Sequence, residues 1–169
     1  MKIALAILCL CVSLPAAELK VGQPVDLKFT AADGRKVNLA QLRGKVVLLY
    51  FCASWCPPCV HEFPGVKATY DKLNSHGFEI IGISLDQTRA SFDDYTKRKK
   101  IPWPQHYEEK SWDGWLVKQF NVRGIPTQIL IDQKGRIAHL NTRKTLEAEV
   151  RKLLALPDHT KQWGQWRGP

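Results

Sequence analysis

No cysteine follows Cys59 in this chain of 169 residues, and that absence narrows the chemistry. Cys56 and Cys59 form a Cys-x-x-Cys pair, which as a bare pattern is equally half of a zinc site or a redox couple. A zinc ribbon needs a second pair. The later histidines, His76, His106, His139 and His159, have no close His–His spacing to replace it. The chain also lacks the run of ~20 apolar residues that a membrane-spanning helix requires. It has no internal repeat, no low-complexity segment and no nucleic-acid motif, so its formal net charge of +9 does not by itself point to nucleic acid. Of five cysteines only three, Cys52, Cys56 and Cys59, lie beyond the first residues, too few for a disulfide-stapled scaffold.

The first residues read as an export signal. Lys2 is the sole charge before Glu18, residues 3–14 are apolar, and Pro15, Ala16 and Ala17 are suited to cleavage. Removal of residues 1–17 takes Cys9 and Cys11 with it and leaves Cys52, Cys56 and Cys59. The remainder suits one domain, residues 18–156, followed by a tail, residues 157–169. The basic run 97–100 reads as a solvated helix end, with docking to an acidic partner or anionic surface as the alternative.

Residues 46–51 form a continuous apolar run, long enough for a buried strand and too short for a helix on its own. Pro57 suits the first turn of a helix, where its missing N–H is no loss. The cysteine pair is therefore expected where a strand ends and a helix begins. There, unpaired N–H groups and the positive end of the helix dipole stabilise a thiolate. Such placement lowers a cysteine pKa from about 8.5 to roughly 3.5–7.5. The thiolate is the attacking species in disulfide exchange, and the two-residue spacing lets the second sulfur close a ring on the first. The preceding buried strand favours redox over metal.

Around this centre, residues 25–29 alternate as a half-buried strand, Asp33 and Gly34 signal a hairpin turn, and residues 35–39 form the return. A short turn or helix is expected at 39–42, and a helix over 57–75 kinked at Pro64. A second buried strand follows at 78–85, then a helix at 88–100 with Thr88 as N-cap. Residues 101–107 are expected as an extended loop. Residues 111–120 should form a helix with Trp112, Trp115, Leu116 and Phe120 facing the core. Strands at 128–131 and 136–140 and a last helix at 145–156 complete an α/β fold with a mixed central sheet flanked by helices.

The stretch Phe51-x-Ala53-Ser54-Trp55-Cys56-Pro57-Pro58-Cys59 resembles the thioredoxin superfamily. Glu62, Pro64, Leu39-x-x-Leu42-Arg43-Gly44-Lys45 and Val122-Arg123-Gly124-Ile125-Pro126-Thr127 resemble its exported TlpA/ResA group of thiol:disulfide oxidoreductases. The resemblance implies a thioredoxin fold with an N-terminal β-hairpin and an insertion after the second central strand. It implies that Cys56 is the exposed nucleophile, that Cys59 resolves the mixed disulfide, and that Glu62 relays protons near Cys59. Trp55, Pro57, Ile125 and Pro126 would contact substrate, with a cis Ile125–Pro126 bond presenting the Ile125 backbone. It implies no organic cofactor and no metal. The expected partners are disulfides or dithiols of exported proteins and an upstream membrane thiol reductant. The expected location is the bacterial periplasm, and the expected direction is reduction of substrate.

Two positions depart from the pattern. Tyr50 stands where cytosolic-type thioredoxins carry a buried Asp, and Cys52 where Trp is usual. Cys52 is either an inert buried thiol or a further resolving thiol, and its spacing to Cys56 is that of copper chaperones on this fold. Glu62 is otherwise a solvated helix carboxylate, Trp55 core filler, and His61 a helix-surface residue. A thiol peroxidase would carry Thr at Ala53. The tail, with Trp163 and Trp166, resembles the opening of quinoprotein-like β-propeller repeats, or is a plain disordered end. That leaves a non-catalytic interaction domain of a longer secreted protein as a further alternative.

Overall fold

In the computed structural model, which describes residues 18–157, the first pairing is local. Strands β1 (Lys28–Thr30) and β2 (Lys36–Asn38) form an antiparallel hairpin with Phe29 opposite Val37. Gly34 turns the chain at φ 87°, a value that favours glycine. Asp33 accepts hydrogen bonds from Arg35, which holds its carboxyl below the usual range. The hairpin strand begins later than the alternation suggests. Val25 and Leu27 are buried as expected, but their backbone groups bond Gly135 and Leu39 instead. The turn at Leu39–Leu42 forms as expected, capped by Asn38.

The central sheet contains β3 (Val46–Cys52), β4 (Phe78–Ser84), β5 (Gln105–His106), β6 (Thr127–Ile131) and β7 (Ile137–His139), in the order β5-β4-β3-β6-β7. The first three run parallel, and β6 and β7 add antiparallel beyond β3. β3 is buried at every residue because it is central and covered on both faces, which its unbroken apolar run reflects. Parallel neighbours need long crossovers. Helices α1 (Pro57–Leu73) and α2 (Arg89–Lys99) supply them on one face, where Phe63 meets Tyr95 edge to face at 6.0 Å. α3 (Trp115–Gln119) lies towards the other face, with Phe120 just beyond it against Phe51 at 5.9 Å. α4 (Leu146–Leu153) joins α1 through Lys72 and Glu147, 2.9 Å apart.

Local signals set several boundaries. Thr88 caps α2 by accepting the Ser91 N–H at 3.2 Å. Gly77, at φ 100°, closes the turn after α1. α1 continues through Pro64 to Leu73. Two expectations are corrected. Residues 101–107 are not wholly irregular, because Gln105 and His106 pair with Gly82 and Ile83 as an edge strand too short for any alternation to show. The helix expected over 111–120 is split at Gly114 into a 3-10 turn, Ser111–Asp113, and α3, because Glu108 Oε1 captures the Trp115 N–H at 2.7 Å. Leu116 and Phe120 are buried as expected, whereas Trp112 and Trp115 are turned outward. Among the described residues no helix is long and apolar enough to cross a membrane. The proposed signal segment and most of the tail lie outside the described residues.

Candidate active site

The turn between β3 and α1 is fixed from the neighbouring strand. Buried Asp86, just past β4, accepts from Ser54 N–H (3.0 Å), Ser54 Oγ (2.6 Å) and Ser84 Oγ (2.8 Å). Leu85 N–H bonds the Cys52 carbonyl at 2.9 Å, and Cys56 N–H bonds that of Ala53 at 3.2 Å. Sequence reasoning missed Asp86, whose sole local signal was a carboxylate at the end of an apolar run.

This scaffold delivers Cys56 as the N-cap of α1, in extended backbone (φ −95°, ψ 104°), with Pro57 in the first turn. Its Sγ accepts the Cys59 N–H at 3.3 Å. Cys56 and Cys59 form a disulfide with Cα atoms 5.2 Å apart. An N-cap sulfur has one orphan N–H aimed at it and the positive end of a long helix behind it, the surroundings that stabilise a thiolate once the bond is reduced. The two sulfurs differ in access, Cys59 being wholly buried and Cys56 4% exposed. Cys56 is therefore less open than the resemblance implies. In the disulfide form its Sγ faces the Cys59 N–H and lies 3.6 Å from the Ile125 carbonyl oxygen. The Ile125–Pro126 bond is cis, with Pro126 buried and Ile125 half-buried. Trp55 and Pro57 are exposed beside the disulfide.

Glu62, one helical turn beyond Cys59, is largely covered, with 18% of its side chain exposed. Its Oε1 accepts from Arg143 Nε at 2.6 Å and pairs with Nη2 of the same guanidinium. Its Oε2 is buried without a hydrogen-bond partner among the described residues. Arg143 precedes α4, and no sequence signal pointed to it. Beside the pair a solvent-open groove of about 340 Å³ is lined by Glu62, Asn141, Arg143, Lys144 and Thr145. Tyr50 donates to the Cys59 carbonyl at 3.4 Å, and burial raises its pKa far above the ordinary tyrosine value, so it stays neutral. His61 is exposed on α1.

Cys52 is buried and free. Burial pushes its thiol pKa up to about 12, because the charged form is poorly solvated there. It lines a small, partly open cavity of about 20 Å³ with Tyr50, Phe63, Asp86, Tyr95 and Trp103, room for a single water. At pH 8 its thiolate population should be about 10³-fold below that of an ordinary cysteine. Cys52→Ala should therefore leave turnover and reduction potential nearly unchanged. Mass spectrometry of the alkylated protein should find Cys52 unlabelled in the folded state. A Cys52–Cys56 bridge, or labelling of Cys52 as fast as Cys56, would show instead that it takes part in exchange.

A cysteine-capped helix following the central strand of a five-stranded mixed sheet, with a cis-proline loop against the sulfur, defines a thioredoxin-like redox protein. The chain belongs to the thioredoxin-like family, whose model matches residues 44–137. It is 30% identical over 128 residues to the thiol-disulfide oxidoreductase ResA of Bacillus thuringiensis subsp. konkukian, covering 73% of this chain and 72% of that one. It is 37% identical over 111 residues to nucleoredoxin 1 of Arabidopsis thaliana, covering 64% of this chain but only 19% of that longer protein. Among solved structures, the thiol:disulfide interchange protein DsbE from Chlorobium tepidum superposes with a TM-score of 0.72 at 26% identity, over 81% of this chain and 99% of the other. With its disulfide-bonded Cys56 and Cys59, the protein is a thiol-disulfide oxidoreductase.

Proposed function

We propose that this protein is exported and reduces disulfides in other exported proteins, with Cys56 attacking and Cys59 resolving. The observation that carries the assignment of roles is the asymmetry of the pair: Cys56 caps the helix and keeps some exposure, while Cys59 has none. In the forward reaction the Cys56 thiolate attacks one sulfur of the substrate disulfide. That bond breaks, and the departing sulfur takes up a proton. Cys59 then gives up its proton and attacks Cys56 Sγ, and the second substrate sulfur leaves as a thiol. Two electrons pass from the enzyme dithiol to the substrate, and a membrane thiol reductant restores them. Glu62 would carry the proton of Cys59, and Ile125, Pro126, Trp55 and Pro57 would frame the approach to Cys56.

Export rests on residues 1–17, with residues 18–156 as the functional domain. Metal carriage would bring Cys52 and Cys56 to one ion. Cys52 instead lines its own cavity, and among the described residues no group of three or more His, Cys, Asp or Glu could hold one. The test is equilibration of the Cys56–Cys59 couple against glutathione or dithiothreitol buffers. A potential near about −270 mV supports a reductant, whereas one near about −120 mV would make the protein an oxidant.

A further inference from the structure

Trp55, Trp112 and Trp115 are 45%, 41% and 41% exposed, although side chains of this size are normally covered. Trp55 immediately precedes Cys56. The Trp112 ring centroid lies 6.5 Å from that of Trp55, at an interplanar angle of 56°, so the exposed aromatic surface of Trp55 continues onto Trp112. This segment is held in an unfavourable conformation rather than left slack. Glu109 and Ser111 have φ of 55° and 47°, left-handed values that non-glycine residues adopt at a cost and that recur where function requires them. Glu108 holds the Trp115 N–H at 2.7 Å, the Asp113 N–H bonds the Lys110 carbonyl at 2.7 Å, and the Trp115 ring stands edge-on to His106. Leu116, wholly buried, anchors the far end. Asp113, next to Trp112, pairs with Lys118 at 2.9 Å on the exposed surface.

We propose that Trp112 is a specificity-determining residue: with Trp55 it forms a ledge that accepts an aromatic or large apolar side chain beside the reactive cysteine of a polypeptide disulfide. The inference rests on the reading of the protein as a reductant of polypeptide disulfides. When a substrate cysteine is bonded to Cys56, an extended chain advances about 3.3–3.6 Å per residue. A side chain up to two positions from that cysteine is therefore displaced by a distance comparable to the 6.5 Å between the two ring centroids. The Ile125 carbonyl, 3.6 Å from Cys56 Sγ, borders the sulfur. A small disulfide would not reach the ledge, and a peptide with only Ser or Gly beside its cysteine would leave it bare.

The test uses two disulfide-linked peptides, identical except for Phe or Ser next to the cysteine, with hydroxyethyl disulfide as a small substrate for the unmodified protein. The unmodified protein should reduce the Phe peptide about 2–10-fold more efficiently in kcat/KM, the range that one aromatic contact supplies. Trp112→Ala should bring the ratio of the two peptides close to one, mainly by raising KM for the Phe peptide. Trp112→Phe should retain most of the preference. Thermal melting and the rate of Cys56 alkylation establish that the variants keep the fold and the reactive sulfur. Equal rates on both peptides with the unmodified protein would overturn the ledge, as would a preference that survives in Trp112→Ala. A uniform slowing of both peptides in Trp112→Ala would reduce Trp112 to a structural support. No turnover of any substrate, hydroxyethyl disulfide included, would sink the reductant reading together with the ledge. Turnover without preference sinks the ledge alone.

Discussion

Cys56→Ser should abolish disulfide exchange, and Cys59→Ser should accumulate a mixed disulfide between Cys56 and substrate. The two outcomes differ because the sulfurs occupy different positions on one helix. With Cys56 gone, the remaining sulfur of the pair is wholly buried and meets no substrate. A serine hydroxyl at the N-cap keeps the capping hydrogen bond but stays protonated, so it does not attack a disulfide at neutral pH. With Cys59 gone, the N–H of residue 59 still points at Cys56 Sγ, because that bond is a backbone feature of the first helical turn. Cys56 therefore remains an activated thiolate and attacks, but no second sulfur is within reach to release the product. Mass spectrometry should find the adduct in Cys59→Ser, and reducing agent should discharge it. If Cys59 is alkylated before Cys56 at neutral pH, or if Cys56→Ser is the variant that traps substrate, the roles are reversed.

How much of this was legible in the sequence depended on distance along the chain. The apolar run became β3, Pro57 marked the first turn of α1, and Thr88 capped α2, because each signal acts within a few residues of itself. Cys56, Cys59 and Glu62 share one short stretch, and their helical spacing could be inferred directly. Arg143 could not be inferred. It reaches Glu62 across 81 residues, and nothing in its own surroundings distinguishes it from other basic side chains. Asp86 lies 32 residues from the Ser54 it holds and for the same reason gave only a weak hint. Trp112 and Trp115 illustrate a different failure. Their spacing with Leu116 and Phe120 fits one amphipathic helix, but Glu108 supplies a competing cap at Trp115 and breaks the period. The aromatic side chains that pattern alone assigns to the core thus end partly on the surface, Trp112 beside Trp55 and Trp115 edge-on to His106.

Glu62→Gln should slow turnover by about 10²–10⁴-fold, the typical worth of a positioned acid or base, while Cys56 still reacts normally with a small alkylating reagent. The substitution keeps the shape and removes the carboxyl group. The glutamine side chain keeps a carbonyl oxygen where Oε1 accepts from Arg143, so the link from α1 to the segment before α4 persists. It places an amide where the buried Oε2 has no partner, and that amide does not take up a proton. The open groove beside Glu62 and Arg143 gives the carboxylate a route to exchange protons with water, which the enclosed Cys59 lacks. Release of the mixed disulfide requires Cys59 to lose its proton, whereas alkylation of Cys56 does not involve Cys59. Turnover should therefore fall, with alkylation unmoved. Both rates should be followed across about pH 5 to 9, on either side of the neutral operating pH. A mere loss of folding stability would lower both rates together and would appear in a melting curve. Equal turnover in the two proteins across that range would leave Glu62 a structural partner of Arg143 and assign the proton of Cys59 to water.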